Sequence, residues 1–246
     1  MRTTAPYDWI VPDWPGPPRV SALVTTRSGG VSRGSFASLN LGTRVGDDPA
    51  AVEHNRAILR SRLPADPVWL QQVHGTEVVD AESAGDLPRA DGAVARTRHS
   101  VCAVLTADCV PVLLAHRSGA AVGIAHAGWR GLAGGVIERA LARMAVPPED
   151  VIAWLGPGIG PRAYEVGPDV YDAFVTRNPE AAAAFEPHGD GRFNADLHTL
   201  ARRRLEAAGV AAVYGSGFCT YTDAGRFYSY RRERATGRFA SLIWID

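Results

Sequence analysis

The sequence predicts a single α/β domain with mixed sheets and helices on the outside, and three observations lead there. Short apolar, strand-like runs are interleaved with stretches of helical periodicity along the chain. The interleaving lacks the regular strand–helix–strand rhythm of a doubly wound parallel sheet. The 246 residues, 46% of them hydrophobic, are enough for a sizeable core, and no repeat, low-complexity tract or linker divides them.

The elements follow in order. The first eighteen residues, "MRTTAPYDWIVPDWPGPP", are rich in Pro and Trp and read as an extended arm, 1–18, leaving 19–246 as the domain. "VSALVTTR" is a strand, and "SGGVSRGSFASLNLG" is a Gly/Ser-rich loop. "DDPAAVEHNRAILRSRL" is a helix with Asp47 or Asp48 at its N-cap and Pro in its first turn. "DPVWLQQVHGTEVVDA" reads as strand, turn and strand around Gly75. "SVCAVLT" and "CVPVLLAH" are buried strands, "RSGA" is a turn and "AVGIAHAG" is the return strand. "GLAGGVIERALARM" has helical spacing, and "VIAWLGPGIG" is a strand running into a Gly/Pro loop. "PDVYDAFVTRN", "PEAAAAFEP" and "DLHTLARRRLEAAG" are helices, and "VAAVYGSGF" and "GRFASLIWID" are closing strands.

Composition narrows the function classes. Lys+Arg and Asp+Glu number 26 each, so no net charge favours a nucleic-acid or membrane-surface partner. No apolar run approaches the ~18 residues of a transmembrane helix. The N-terminus lacks the apolar stretch of a signal peptide, so a cytoplasmic location is expected. Three cysteines, Cys102, Cys109 and Cys219, form no disulfide framework and read as buried thiols, metal ligands or nucleophiles.

Chemistry concentrates around Cys109. In a hairpin turning near Arg117 to Gly119, Cys109 falls opposite His126. Opposed residues share a face with Cβ atoms roughly 5 Å apart, the reach of a Cys–His dyad or of two metal ligands. Small or turn residues, Ala107, Ala125, Ala127 and Gly128, surround both. His74, ending an apolar run before Gly75, is the best third ligand. One thiolate and two imidazoles suit zinc, and three protein ligands leave a position open for water or substrate. Asp108 should face away from Cys109 and reads as a carboxylate that binds backbone or supports the site. His54 and His198 lie on amphipathic helices, His99 and His116 beside turns and His188 in a loop, all weaker candidates.

An anion site is expected beside the trio. "HAGWRGLAGG" leads from His126 into a helix start whose free N–H groups attract phosphate, and Arg130 adds a guanidinium. "TTRSGGVS" around Arg27 offers a second such place. "GPGIGPRAYEVG" and "CTYTDAGRFYSYRRERATGRFASLIW" combine Gly, aromatic residues and Arg. They suit the walls of a pocket for a flat heteroaromatic ring, though core aromatics and loop punctuation give the same pattern.

Taken in order, "TTRSGGVS", "SLNLG", "WLQQVHGTEV", "ADGAV", "LTADCVPVLL", "HAGWRGLAGG", "WLGPGIGPRAYEVG" and "FCTYTD…FYSYRRE…TGRFASLIW" resemble the laccase-domain family. Its members were long labelled polyphenol oxidases and are now described as purine nucleoside phosphorylases. The resemblance runs from about Val20 to the C-terminus. It implies a four-layer α-β-β-α sandwich and zinc held by the residues matching His74, Cys109 and His126. It implies phosphorolysis of adenosine, inosine, guanosine and methylthioadenosine to base and sugar 1-phosphate, with adenosine deaminase activity alongside. Bacterial relatives are also linked to editing of peptidoglycan precursors.

Purine nucleosides and phosphate are therefore the expected partners, with no nucleic acid or membrane, and Cys109, His126 and His74 the expected catalytic group beside Arg130 and Arg27. The alternative is a Cys–His hydrolase or amidase acting on peptidoglycan precursors, with Cys109 as nucleophile and His126 as base. Its analogy is the fold shared with cytotoxic necrotizing toxins. A non-catalytic binding module is a third reading. Copper, reported under the older family label, is disfavoured. A multicopper centre needs many histidines and usually an axial Met, and the chain has seven His and only Met1 and Met144.

Overall fold

The computed structural model describes residues 7–215 and 217–246, so six residues of the expected arm lie outside the described residues. The elements run β1 (Val20–Val24), α1 (Pro49–Arg60), β2 (Pro67–Val68), β3 (Val78–Asp80), β4 (Gly92–Ala95), β5 (Val101–Thr106), β6 (Val110–His116) and β7 (Val122–Ala127). They continue with α2 (Trp129–Gly134), α3 (Val136–Met144), β8 (Val151–Leu155), β9 (Glu165–Val166), α4 (Pro168–Val175), β10 (Phe185–Pro187) and β11 (Phe193–Ala195). The last are α5 (Leu197–Ala207), β12 (Ala212–Gly215), α6 (Tyr230–Glu233) and β13 (Phe239–Ile245).

Two mixed sheets stack face to face. One has the order β1-β13-β5-β2 and the other β12-β8-β6-β7-β4-β3, and a small sheet β10-β11-β9 lies apart. Alternation along the strands builds three apolar layers. Val104, Leu113, Ile124, Trp154 and Ile243 meet between the sheets. Val112, Leu114 and Ala125 face the other way, against Ile137 and Leu141 of α3 and Leu200 and Leu205 of α5. Val101, Ala103 and Leu242 form the outer face of the four-stranded sheet, under Leu59 of α1 and Leu39 and Leu41. The sandwich is thus helix, sheet, sheet, helix.

The described part of the arm is tied down. Ile10 pairs with Val24, and Asp13 accepts a hydrogen bond from the indole of the fully buried Trp154 at 2.8 Å. On the opposite side, α1 starts at the N-cap Asp48, which accepts from the Ala50 N–H at 3.0 Å, with Pro49 at its first position. Its inner face carries Asn55, fully buried. Asn55 donates to Ser32 Oγ and to the carbonyls of Ser38 and Asn40, and accepts from the Val31 N–H. One amide side chain thereby organises the Gly/Ser-rich loop of residues 28–42.

Four expectations need correction. Pro111, not Cys109, lies opposite His126. The turn centres one residue later than expected, closed by bonds from the Gly119 N–H to the His116 carbonyl and from the His116 N–H to the Ala121 carbonyl. The register therefore slides by two, and an even slide keeps Cys109 on the face of His126. The helix expected over 131–144 starts at Trp129 and breaks at Gly135, which adopts φ +99°. Residues 179–187 form a 3₁₀ turn and then β10, because Phe185 joins the rings of Tyr171, Phe174 and Phe193. Between β2 and β3, residues 69–77 run as loop and not as strand.

Asn55→Ala is expected to lower the unfolding free energy by about 2–3 kcal/mol, because it orphans buried backbone groups. The exposed neighbour His54→Ala should stay within about 0.5 kcal/mol of wild type. Urea denaturation of both variants measures the difference.

Candidate metal centre

The site forms where the chain crosses from one sheet to the other. Residues 107–109 carry it from β5 to β6, and 69–77 from β2 to β3. Cys109 lies on the first crossing and His74 on the second. His126 is on β7, sharing the inward face of Val122 and Ile124. The three ligand atoms all lie within 4.8 Å of one another, and Cys109 Sγ is 3.8 Å from His74 Nε2. His126 is buried, Cys109 half-buried and His74 exposed, so the group opens to one side.

Asp91, just before β4, holds this arrangement together. It is fully buried and receives four donors. Oδ1 accepts from His126 Nδ1 at 2.8 Å and the His74 N–H at 2.9 Å. Oδ2 accepts from the N–H groups of Val73 at 3.1 Å and Gly75 at 2.7 Å. The His126 backbone N–H also donates to the Asp91 carbonyl at 2.7 Å. The bond at Nδ1 leaves Nε2 of His126 for a metal, the carboxylate–histidine–metal pattern. Through the His74 N–H bond Asp91 also pins His74 in a left-handed conformation, φ +59°, that non-glycine residues seldom adopt. Sequence reasoning missed Asp91. Its signal was the "ADGAV" segment, where an acidic residue stands at the mouth of an apolar strand.

Asp108 behaves as expected. Its carboxylate accepts from the Thr220 hydroxyl at 2.7 Å and the Arg231 N–H at 2.7 Å, tying α6 to the turn that presents Cys109. Asp108 itself sits at φ +98°. Gly128 and Gly131 let α2 close over the group. A Cβ at Gly128 would fall 2.8 Å from both Cys109 Sγ and His74 Cδ2, and one at Gly131 2.8 Å from the Gly75 carbonyl.

The electrostatics suit a metal. Burial alone would raise the Cys109 thiol, but His126 and His74 outweigh it and bring its pKa down to about 6. Burial would lower His126, but Cys109 and Asp91 outweigh it and bring it up to about 9. Burial would raise Asp91, but the His126 bond and the backbone donors hold it below the usual carboxylate value. Cys102, between the sheets, is pushed well up by burial. A thiolate, an oriented imidazole and a second imidazole fit a thiophilic divalent ion.

The trio opens into a cleft of about 580 Å³. Six arginines line it: Arg44, Arg56, Arg130, Arg231, Arg234 and Arg238. None of them pairs with a carboxylate among the described residues. Arg130 lies 4.3 Å over the Trp129 ring, and Tyr164 and Tyr230 add flat walls. Of the expected site residues, His74, Cys109, His126 and Arg130 thus converge. Arg27 does not line the cleft: its guanidinium donates to the carbonyls of Ala37 and Ala224, meets Glu233 and covers Tyr228. The helix start expected to bind anions belongs to a six-residue helix, so its dipole adds little, and Arg130 within it is exposed and lines the cleft. His198 is buried elsewhere, donating Nε2–H to the Gly156 carbonyl.

The four-layer sandwich with a His–Cys–His group at its sheet crossings defines the class. Residues 21–246 match the family described as multi-copper polyphenol oxidoreductase laccase, and the chain belongs to it. It is 56% identical over 239 residues to a purine nucleoside phosphorylase of Pseudomonas aeruginosa, covering 97% of this chain and 98% of that one. It is 50% identical to purine nucleoside phosphorylase YfiH of Escherichia coli, covering 96% and 98%. A crystal structure of a Neisseria meningitidis protein superposes with a TM-score of 0.94 at 54% identity, covering 97% and 99%. YlmD from Geobacillus stearothermophilus gives 0.86 at 34%, covering 93% and 92%. Among the described residues no helix is long and apolar enough to cross a membrane.

Two outcomes test this centre. Asp91→Asn keeps the shape but cannot accept from every donor, and should weaken metal affinity by about 10–100-fold in a chelator competition. In metal-free protein, iodoacetamide should modify Cys109 with a pH midpoint near 6, well below that of an ordinary thiol, while Cys102 stays unmodified. Peptide mass spectrometry assigns each site.

Proposed function

We propose that the cleft is the active site of a zinc-dependent purine nucleoside phosphorylase. The observation that carries this reading is the meeting, in one cleft, of a His74–Cys109–His126 donor set and the unpaired Arg130 guanidinium. Relatives at 56% and 50% identity named purine nucleoside phosphorylases support it. The substrates are adenosine, inosine, guanosine and methylthioadenosine with phosphate, and the products are the free base and a sugar 1-phosphate.

The residues divide the work. Arg130 holds the phosphate through charge-assisted hydrogen bonds. The purine ring lies against the flat walls of Trp129, Tyr164 and Tyr230, of which Tyr164 and Trp129 are partly buried. A phosphate oxygen bonds to the anomeric carbon as the bond from that carbon to the purine nitrogen breaks. The departing pair goes to the base, and the arginine wall stabilises that negative charge as it grows. His74, Cys109 and His126 hold zinc, which when bound supplies Lewis-acid stabilisation of charge. Asp91 keeps His126 in the tautomer that ligation needs. The same cleft deaminates adenosine to inosine: water bonds to the purine carbon that carries the amino group, and that group leaves as ammonia.

One thiolate and two imidazoles suit zinc better than a set of copper centres. Among the described residues only this His/Cys/carboxylate group has metal-binding spacing, while a multicopper oxidase requires several histidine-rich sites.

The test is an adenosine assay with and without phosphate. Adenine release should depend on phosphate, and inosine should form without it. His74→Ala, Cys109→Ala and His126→Ala should each lose metal and activity together. Arg130→Gln should raise the phosphate KM by about 10–100-fold, the effect of one lost charge-assisted hydrogen bond. Adenine release that ignores phosphate contradicts the phosphorylase reading. Full activity after metal removal, with loss in Cys109→Ala, would instead favour a Cys–His hydrolase with Cys109 as nucleophile and His126 as base.

A further inference from the structure

The cleft carries more positive charge than one phosphate and a neutral nucleoside use. Five of its six arginines fall into two groups, and the sixth, Arg234, lies over the Tyr230 ring at 5.8 Å. Arg130, on α2, and Arg231, whose N–H donates to Asp108 beside Cys109, belong to the inner end of the cleft, and Arg238 lines it with them. Arg44 and Arg56 come from the outer layer, from the turn before α1 and from α1 itself. Arg56 is occupied, donating Nε–H to the Leu41 carbonyl at 3.0 Å and covering the Trp69 ring at 4.3 Å. Arg44 is exposed, and no hydrogen bond or ion pair joins its side chain to another described residue.

The turn that presents Arg44 is rigidly built. Asn40, from the "SLNLG" segment, is fully buried. Its amide donates to Asp47 Oδ2 at 2.9 Å and the Gly42 carbonyl at 3.2 Å. Its Oδ1 accepts from the N–H groups of Gly42 at 2.9 Å and Arg238 at 2.8 Å. Asn55 donates in turn to the Asn40 carbonyl at 2.9 Å. A buried amide with every bond satisfied therefore sets the Arg44 turn in register with Arg238. An unpaired guanidinium on a preorganised turn at the rim of a cleft is suited to a second anionic group.

We propose that Arg44 forms a subsite for the 5′-phosphate of purine nucleotides, so that nucleoside 5′-monophosphates occupy the cleft and compete with nucleosides. This rests on the purine nucleoside reading of the cleft. With the anomeric carbon turned to the trio and Arg130, the 5′ carbon projects from the far side of the ribose ring. A substituent there reaches away from the phosphate held by Arg130, and in this proposal Arg44, on the wall of the same cleft, meets it. A neutral 5′-hydroxyl gives Arg44 nothing to pair with, whereas a phosphate dianion does.

Isothermal titration of the full chain in phosphate-free buffer compares IMP with inosine, which without phosphate is neither cleaved nor deaminated. IMP should bind at least ~10-fold tighter, the effect of one charge-assisted pair. Arg44→Gln should bring the two affinities within about 2-fold, and Arg44→Lys should keep part of the difference. Circular dichroism and thermal melting check that the variants fold. IMP binding no tighter than inosine overturns the subsite. So does an IMP advantage that survives Arg44→Gln but vanishes in Arg130→Gln or under saturating inorganic phosphate, because the nucleotide phosphate then sits at Arg130. Phosphorolysis of adenosine without an Arg44-dependent IMP advantage sinks the subsite alone. Arg44-dependent IMP binding without adenosine phosphorolysis sustains the subsite and overturns the phosphorylase reading.

Discussion

The Asp91 carboxylate is the constraint on which the rest of the site depends. A buried carboxylate is costly unless its oxygens are satisfied. Here four donors satisfy it, three from the backbone of Val73, His74 and Gly75 and one from His126. Those donors come from the loop before β3 and from β7, so one side chain fixes two ligands that are far apart in sequence. Charge completes the arrangement. Asp91 raises the basicity of His126, and His126 lowers the pKa of Cys109.

The fold explains why the ligands converge where they do. The layer between the sheets is closed by apolar side chains along its length and ends where the chain passes from one sheet to the other. Two of those passages carry His74 and Cys109, and each contains a non-glycine residue at positive φ, His74 and Asp108. Both strained residues are held by carboxylates, Asp91 for the first and the Asp108 side chain itself for the second. Strain of this kind persists only where surrounding bonds over-determine it. The glycines at 128 and 131 then allow α2 to lie close against the ligands.

Much of this was legible in the sequence. Strand alternation placed the hairpin and the inward face of Cys109 and His126, and it survived an error in the turn because a slide of two preserves the face. The resemblance supplied the four layers. What stayed hidden was long-range. Asp91 is seventeen residues from His74 and thirty-five from His126, and nothing in its local segment marks its partners. The arginine wall is assembled from the α1 region, α2 and the segment from Tyr230 to Arg238, so no single stretch displays it. The composition of the aromatic and Arg-rich C-terminal segments suits pocket walls, and Tyr230, Arg231, Arg234 and Arg238 do line the cleft. Arg27 showed the opposite failure: a Gly-rich neighbourhood suggested an anion site, but the guanidinium is spent on carbonyls, Glu233 and Tyr228.

His74, Cys109 and His126 are grouped to hold one metal ion. X-ray absorption at the zinc edge on purified, zinc-loaded protein tests this. One sulfur at about 2.3 Å and two imidazole nitrogens at about 2.0–2.1 Å are expected, with a lighter atom in the remaining position. Cys109→Ser should remove the sulfur scattering. A first shell of oxygen alone, or of two or more sulfurs, would rule out a His–Cys–His centre.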